Sequence, residues 1–137
     1  MGGSSGTRIL FSIVIVMALL AIPFMCASQD RLHATYRKRA TADIRKLVVA
    51  LEEFSGGNVQ AYPRELEGWF AKEGRNSPYL VRYNGRLPKD GWGHAFVYEP
   101  PNEARPRARI LSYGADGVPG GTGIDADIDS ETLPKAP

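Results

Sequence analysis

The chain has almost none of the side chains that soft-metal sites and nucleophilic catalysis draw on: one cysteine, Cys26, and two histidines, His33 and His94, in 137 residues. A single cysteine excludes an intrachain disulfide, and this one lies inside the most apolar stretch of the sequence. No second histidine or cysteine accompanies His94, so it reads as a strand surface residue rather than a ligand, and His33 as a position on a helix shaft. No serine or cysteine is placed near a histidine in a way that suggests a nucleophile and base, and Glu52, Glu53, Glu65 and Glu67 read as solvated helix positions. The expectation is a protein that is not an enzyme. Charge of one sign is lacking as well: a net charge of +2 gives no basic face of the kind that attracts nucleic acid. There are no internal repeats, and the length allows one small domain.

One long hydrophobic run is present. After a short leader, residues 1–8, residues 9–27 read "ILFSIVIVMALLAIPFMCA" without a charge. As a helix this run would be about 28 Å long, close to the roughly 30 Å hydrocarbon core of a bilayer. It is expected to be a transmembrane or signal-anchor segment. The alternative is a cleaved signal peptide, because Cys26, Ala27 and Ser28 offer small residues to a signal peptidase. Only Arg8 precedes the run, whereas Arg31, Arg37, Lys38 and Arg39 follow it, a placement that by the positive-inside rule would keep the following domain in the cytoplasm.

Beyond the run, Leu32, Tyr36, Ala40, Ile44, Leu47, Val48, Leu51 and Phe54 recur at three and four residues, which predicts an amphipathic helix over 28–57 stopped by Gly56 and Gly57. No proline or glycine follows Pro23 within it, so one helix of roughly 45 residues could leave the membrane and carry the domain. Within the globular part, 58–130, a shorter helix is expected from Pro63 to Gly74 with Leu66, Trp69 and Phe70 on one side. "PYLVRY", Asn84-Gly85 and "RLP" suggest a hairpin, and "HAFVYE" and "RARILSY" two further strands. The fold class is therefore α+β: a long N-terminal helix, partly transmembrane, packed on a small antiparallel sheet. The last residues, 131–137, read as a flexible tail.

The stretch "LSYGADGVPGGTGIDADID" hangs Asp116, Asp125, Asp127 and Asp129 on glycines 114, 117, 120, 121 and 123. Carboxylates two apart, on backbone free to turn its carbonyls inward, suit a hard cation that takes six to eight oxygens, which is calcium rather than zinc. An EF-hand does not fit, since counted from Asp125 the sixth position is Ser130 and the twelfth Ala136. Spacing alone favours a flexible acidic loop with Asx turns over such a site.

Three quoted stretches lie in one order along the soluble part: "ADIRKLVVALEEF" with "YP" after it, "LPKDGWGHAFVY", and "ILSYGADGVPGGTGIDADI". Together, from Ala42 to about Ile128, they resemble the G-type major pseudopilin of type II secretion systems, whose own pattern runs helix, Tyr-Pro, Leu-Pro-x-Asp-Pro-Trp-Gly and Ser-x-Gly-x-Asp-Gly ending in Asp-Asp-Ile. The resemblance implies a pilin-like fold with a calcium loop over 112–128. Asp116 matches the aspartate of the Asp-Gly pair, Tyr113 falls where a backbone carbonyl is contributed, and Asp127 matches the loop's last aspartate. The preceding aspartate of the family falls on Ala126, so Asp125 would substitute, with a carbonyl near Thr122 or Gly123 completing the set. Asp129 lies past the match and would face solvent. Gly91 stands where the family has proline, and Trp92 reads as a core residue whose indole finds a carbonyl.

What the resemblance implies for function is a single-pass inner-membrane protein, inserted through 9–27, with its domain in the periplasm. It would be a homo-oligomer, partnered by other pseudopilins and secretion components, that assembles into a filament for protein export. The N-terminus departs from that pattern: it has no basic leader, and no glutamate in the apolar run, where the family uses one to neutralise a neighbour's amino group. The alternative is a non-polymerising calcium-binding module, membrane-tethered or secreted, on the same fold.

Overall fold

The computed structural model describes the backbone of residues 5–134, and side chains from residue 29 onward except residue 75. The chain divides into two compact units, Met1–Ala34 and Thr35–Pro137. The first is helical from Ser5 on, as part of α1, Ser5–Ser55. No helix among the described residues is long and apolar enough to cross a membrane. The expected membrane segment, 9–27, lies where side chains are outside the described residues, as do the tail residues 135–137.

The second unit takes the last part of α1 and everything after it. Along α1 the buried stripe is Ala40, Ile44, Leu47, Ala50 and Leu51, the three- and four-residue spacing that puts side chains on one helical face. Its expected ends are not buried: Leu32 is 43% and Phe54 45% exposed. The stripe also contains a residue hydropathy does not foresee, Asp43, 1% exposed, whose carboxylate accepts a hydrogen bond from the Tyr83 hydroxyl. Gly56, at φ +57, ends the helix by donating its N–H to the Glu52 carbonyl at 3.0 Å, the left-handed stop that glycine permits without a Cβ penalty.

Helix α2, Leu66–Lys72, buries Leu66, Trp69 and Phe70. It begins three residues later than Pro63 suggests. Tyr62, immediately before the proline, is extended at ψ 141, as its neighbour's ring requires, and the Pro63 carbonyl accepts the Tyr98 hydroxyl at 2.7 Å. The expected hairpin around Asn84-Gly85 is absent. Asn84 and Gly85 do take positive φ, but the preceding Val81–Tyr83 is a 3-10 turn. Leu80 is fully buried and Tyr83 reaches Asp43, and the three-residue interval that turns both side chains inward belongs to a helical turn and not to a strand.

The sheet has three antiparallel strands in the order β1, Val97–Glu99, β2, Arg109–Ser112, and β3, Ile128–Asp129. Val97 stands opposite Leu111 and Glu99 opposite Arg109, while Ser112 faces Ile128. Phe96, Ile110 and Ile128 meet the α1 stripe and α2 in one hydrophobic core. Burying side chains of this size stabilises by about 2 kcal/mol each. An ion-pair ladder crosses the sheet on Arg109, whose Nη2 lies 2.6 Å from Asp129 and Nη1 3.3 Å from Glu99. Arg105 joins it by donating to Glu99. Asp129 is thus a paired residue of β3 rather than a solvent-facing one. The fold is α+β, and the loop between β2 and β3 is the segment from 113 to 127.

Candidate functional site

The loop leaves β2 at Ser112, which is fully buried, and returns as β3. Its glycines allow one close approach in particular. Gly114 sits at φ +65, and a Cβ there would lie 2.5 Å from the Asp125 carbonyl oxygen, so no other residue lets the two limbs meet. The limbs are then tied by backbone: Ala115 N–H to the Ile124 carbonyl at 3.1 Å and Asp127 N–H to the Gly120 carbonyl at 3.2 Å. Gly120 N–H returns to Asp127 Oδ2 at 3.0 Å. No large apolar side chain of the loop is buried, and Val118 and Ile124 are 55% and 42% exposed. Polar ties hold this segment.

Beneath the loop is a node built on Asp90, which is 3% exposed. Its Oδ1 accepts the N–H groups of Trp92 at 3.0 Å and His94 at 2.8 Å, and its Oδ2 accepts the Ser112 hydroxyl at 2.7 Å. The His94 ring, half-buried, faces the Gly114 carbonyl through Nδ1 at 3.2 Å and lies under Gly117. It is therefore a support of the loop rather than a strand surface residue. Ser112, Asp90 and His94 are the three residue types of a hydrolase triad, but the serine proton is directed to the aspartate and not to the imidazole, so the trio builds a turn instead of activating a nucleophile. The neighbouring glycine in this turn has a steric reason too. A Cβ at Gly91 would lie 2.5 Å from the Tyr36 Cα on α1, and Tyr36 meets Trp92 edge to face at 6.0 Å. Trp92 is half-buried and packs against the core.

The five candidate ligands all fall in the loop, in unequal settings. Asp127 is the most telling: its Oδ1 is buried without any hydrogen-bond partner. A carboxylate oxygen left so is costly unless something positive meets it. Asp116 is exposed, and its Oδ1 caps the Val118 N–H at 3.1 Å in an Asx turn. Asp125 is half-buried, and its N–H donates to the Thr122 carbonyl at 3.1 Å. Tyr113 is half-buried at the loop's entry. Gly123 is exposed, and its carbonyl accepts a hydrogen bond from Arg37 Nη1 at 3.4 Å, with the same nitrogen 2.8 Å from the Ala126 carbonyl. Among the described residues no three acidic, histidine or cysteine side chains converge as a metal cluster. A calcium ion here would meet the bare Oδ1 of Asp127 and backbone carbonyls, while the carboxylates of Asp125 and Asp116 would have to close in on it, since they do not gather with Asp127 into one cluster. The orphaned oxygen of Asp127 fits that group.

The family model of type II secretion system (T2SS), protein G, matches residues 28–131. The chain belongs to this family. Its match begins just past the apolar run and includes every candidate ligand from Tyr113 to Asp127. The chain is similar to the type II secretion system core protein G of Pseudomonas aeruginosa, with 32% identity over 120 residues, covering 82% of this chain and 81% of that one. It is also similar to the protein of that name in Vibrio cholerae, 30% identical over 125 residues, 85% and 82% of the two chains. The one in Xanthomonas campestris is 27% identical over 132 residues, 92% and 89%. The chain is thus a G-type pseudopilin, a structural component of type II secretion.

Two features of this pseudopilin loop were not evident from sequence. Arg37 stands 86 and 89 residues before its partners, and no local pattern signals such a contact. Asp90 did lie within a conspicuous stretch, "LPKDGWG", whose Asp-Gly-Trp-Gly turn chemistry is a signal for a side chain that caps backbone.

Proposed function

We propose that this pseudopilin is calcium-stabilised and acts in protein export by assembling with copies of itself and with other pseudopilins into a filament. Residues 9–27 anchor it in the inner membrane in a single pass, and the unit beginning at Thr35 works in the periplasm. Family membership supports the secretion role, and the buried, unpartnered Asp127 Oδ1 is the observation that carries the calcium part. An ion that binds only the folded state at 100 times its dissociation constant adds about 2.7 kcal/mol, a large share of the stability of a small domain.

A second reading, a non-polymerising tethered domain, is favoured by one observation: no carboxylate occurs in residues 9–27 to pair with a neighbour's amino group. The mass of the mature N-terminus from a native membrane fraction separates the two. A chain that begins at Thr7 with a methylated amine is the result expected for pilin-type processing and filament entry. A chain that still begins at Met1, or one that begins near Gln29, would overturn the filament part and leave the tethered or released module.

A further inference from the structure

The loop has a positive charge of its own. Arg37, on the face of α1 next to Tyr36, directs Nη1 to the Ala126 carbonyl at 2.8 Å and to the Gly123 carbonyl at 3.4 Å. Both acceptors are on the returning limb, just before β3, where the chain has no buried large side chain to hold it. Tyr36 already meets the Asp90 turn, through the close approach of Gly91 and the ring of Trp92. One turn of α1 therefore grips two segments, the Asp90 turn by packing and the acidic loop by charge.

We propose that Arg37 is a tethered cation for the loop, a positioning residue that keeps the limb from Gly123 to Asp127 against α1 whether or not a metal ion is present. A guanidinium does this better than an ammonium would, since it is always charged and offers several N–H donors in a fixed plane. Carbonyl groups turned toward one point need positive charge to oppose their dipoles, and Arg37 supplies it at Ala126 and Gly123. The loop then has two supports of different origin: Arg37 at its returning limb, and any ion that meets the bare oxygen of Asp127. The inference shares the loop with the calcium reading but stands if that reading fails.

The test is amide hydrogen exchange on the full chain in detergent, for the unaltered protein, Arg37→Met and Arg37→Lys, each with excess chelator and with excess calcium chloride. In chelator, Arg37→Met should speed exchange of Ala115, Asp125 and Asp127 by roughly tenfold to a hundredfold, the range expected for a lost charge-assisted hydrogen bond. Arg37→Lys should fall between it and the unaltered protein. The core amides of Ile44, Leu47 and Ile110 should change little and serve as the internal reference. Calcium that restores protection in Arg37→Met supports both the tethered cation and the calcium reading. Faster loop exchange that calcium does not restore supports Arg37 and sinks the calcium reading. Unchanged loop exchange in Arg37→Met would overturn the proposal. So would a loss spread equally over loop and core, because the contact would then hold the fold and not the loop.

Discussion

The core and the acidic loop are neighbours in one unit and are held by opposite means. The core closes on Ile44, Leu47, Leu51, Phe70 and Ile110, each at most 1% exposed. The loop buries none of its large side chains and stands on glycine geometry, backbone pairs, Arg37 and the Asp90 node. Apolar burial is non-directional and needs no bound ion, whereas polar ties depend on charge and on which acceptor has a partner. The core should therefore set the stability of the fold, the loop how that stability responds to metal, and the ion-pair ladder across the sheet how it responds to pH.

The largest effect that sharpens this contrast is Leu47→Ala. It removes a fully buried side chain and should cost about 3 kcal/mol. Unfolding followed by the fluorescence of Trp69 and Trp92 should show the same loss in calcium and in chelator; a calcium-dependent loss would break the separation of core and loop. Asp90→Ala should come next, at roughly 2–3 kcal/mol, because it leaves the Trp92 and His94 N–H groups and the Ser112 hydroxyl without their acceptor. Asp90→Asn should recover only part of that loss, since it keeps one acceptor and puts an N–H₂ against the other donors.

Asp127→Ala should cost about 2 kcal/mol in saturating calcium and much less in chelator, because it removes the bare oxygen that a cation would meet. Asp116→Ala should likewise lower the melting temperature and remove its calcium dependence, and an unchanged calcium response would take Asp116 out of the ligand set. The smallest effect is on pH. Burial raises the Asp129 carboxyl, but the hydrogen bonds from Arg109 and from the Glu131 N–H outweigh it and hold it below its ordinary 3.8. For Glu99 the hydrogen bond from Arg105 is the largest cause, opposed by desolvation and aided by Arg109, and the group is held below 4.5. A carboxylate depressed in the folded state binds fewer protons there than in the unfolded chain, so its stabilisation is whole above the unfolded value and is lost as pH falls. Stability should thus decline below about pH 4.5, and Arg109→Met should flatten that slope in acid-unfolding curves.

Particular residues show what the sequence could and could not reveal. The α1 stripe, the glycine stop at Gly56, the buried face of α2 and the strands around Val97 and Arg109 follow from periodicity and turn chemistry, which are local. The α+β class follows from them. The expected hairpin failed because Leu80 and Tyr83 are called inward by α1, and Asp43, a charged residue on an apolar face, is invisible to hydropathy. β3 was missed because two residues carry no period. At the loop, the glycines and aspartates marked the place, while Arg37 and the Asp90 node, which decide how it is held, depend on contacts distant in sequence. The proline that the family resemblance expects at Gly91 has a plain steric answer: Tyr36 leaves no room for any side chain.

The measurement closest to the central claim is the melting temperature of the full chain, read from tryptophan fluorescence, in calcium and in chelator. A gain near 2.7 kcal/mol corresponds to a rise of roughly 10 °C or more for a unit of this size, and that rise is the predicted result. Equal melting temperatures in the two conditions would mean that the Asp127 oxygen is met by no ion, and that the loop stands on Arg37, the Asp90 node and its own backbone without one.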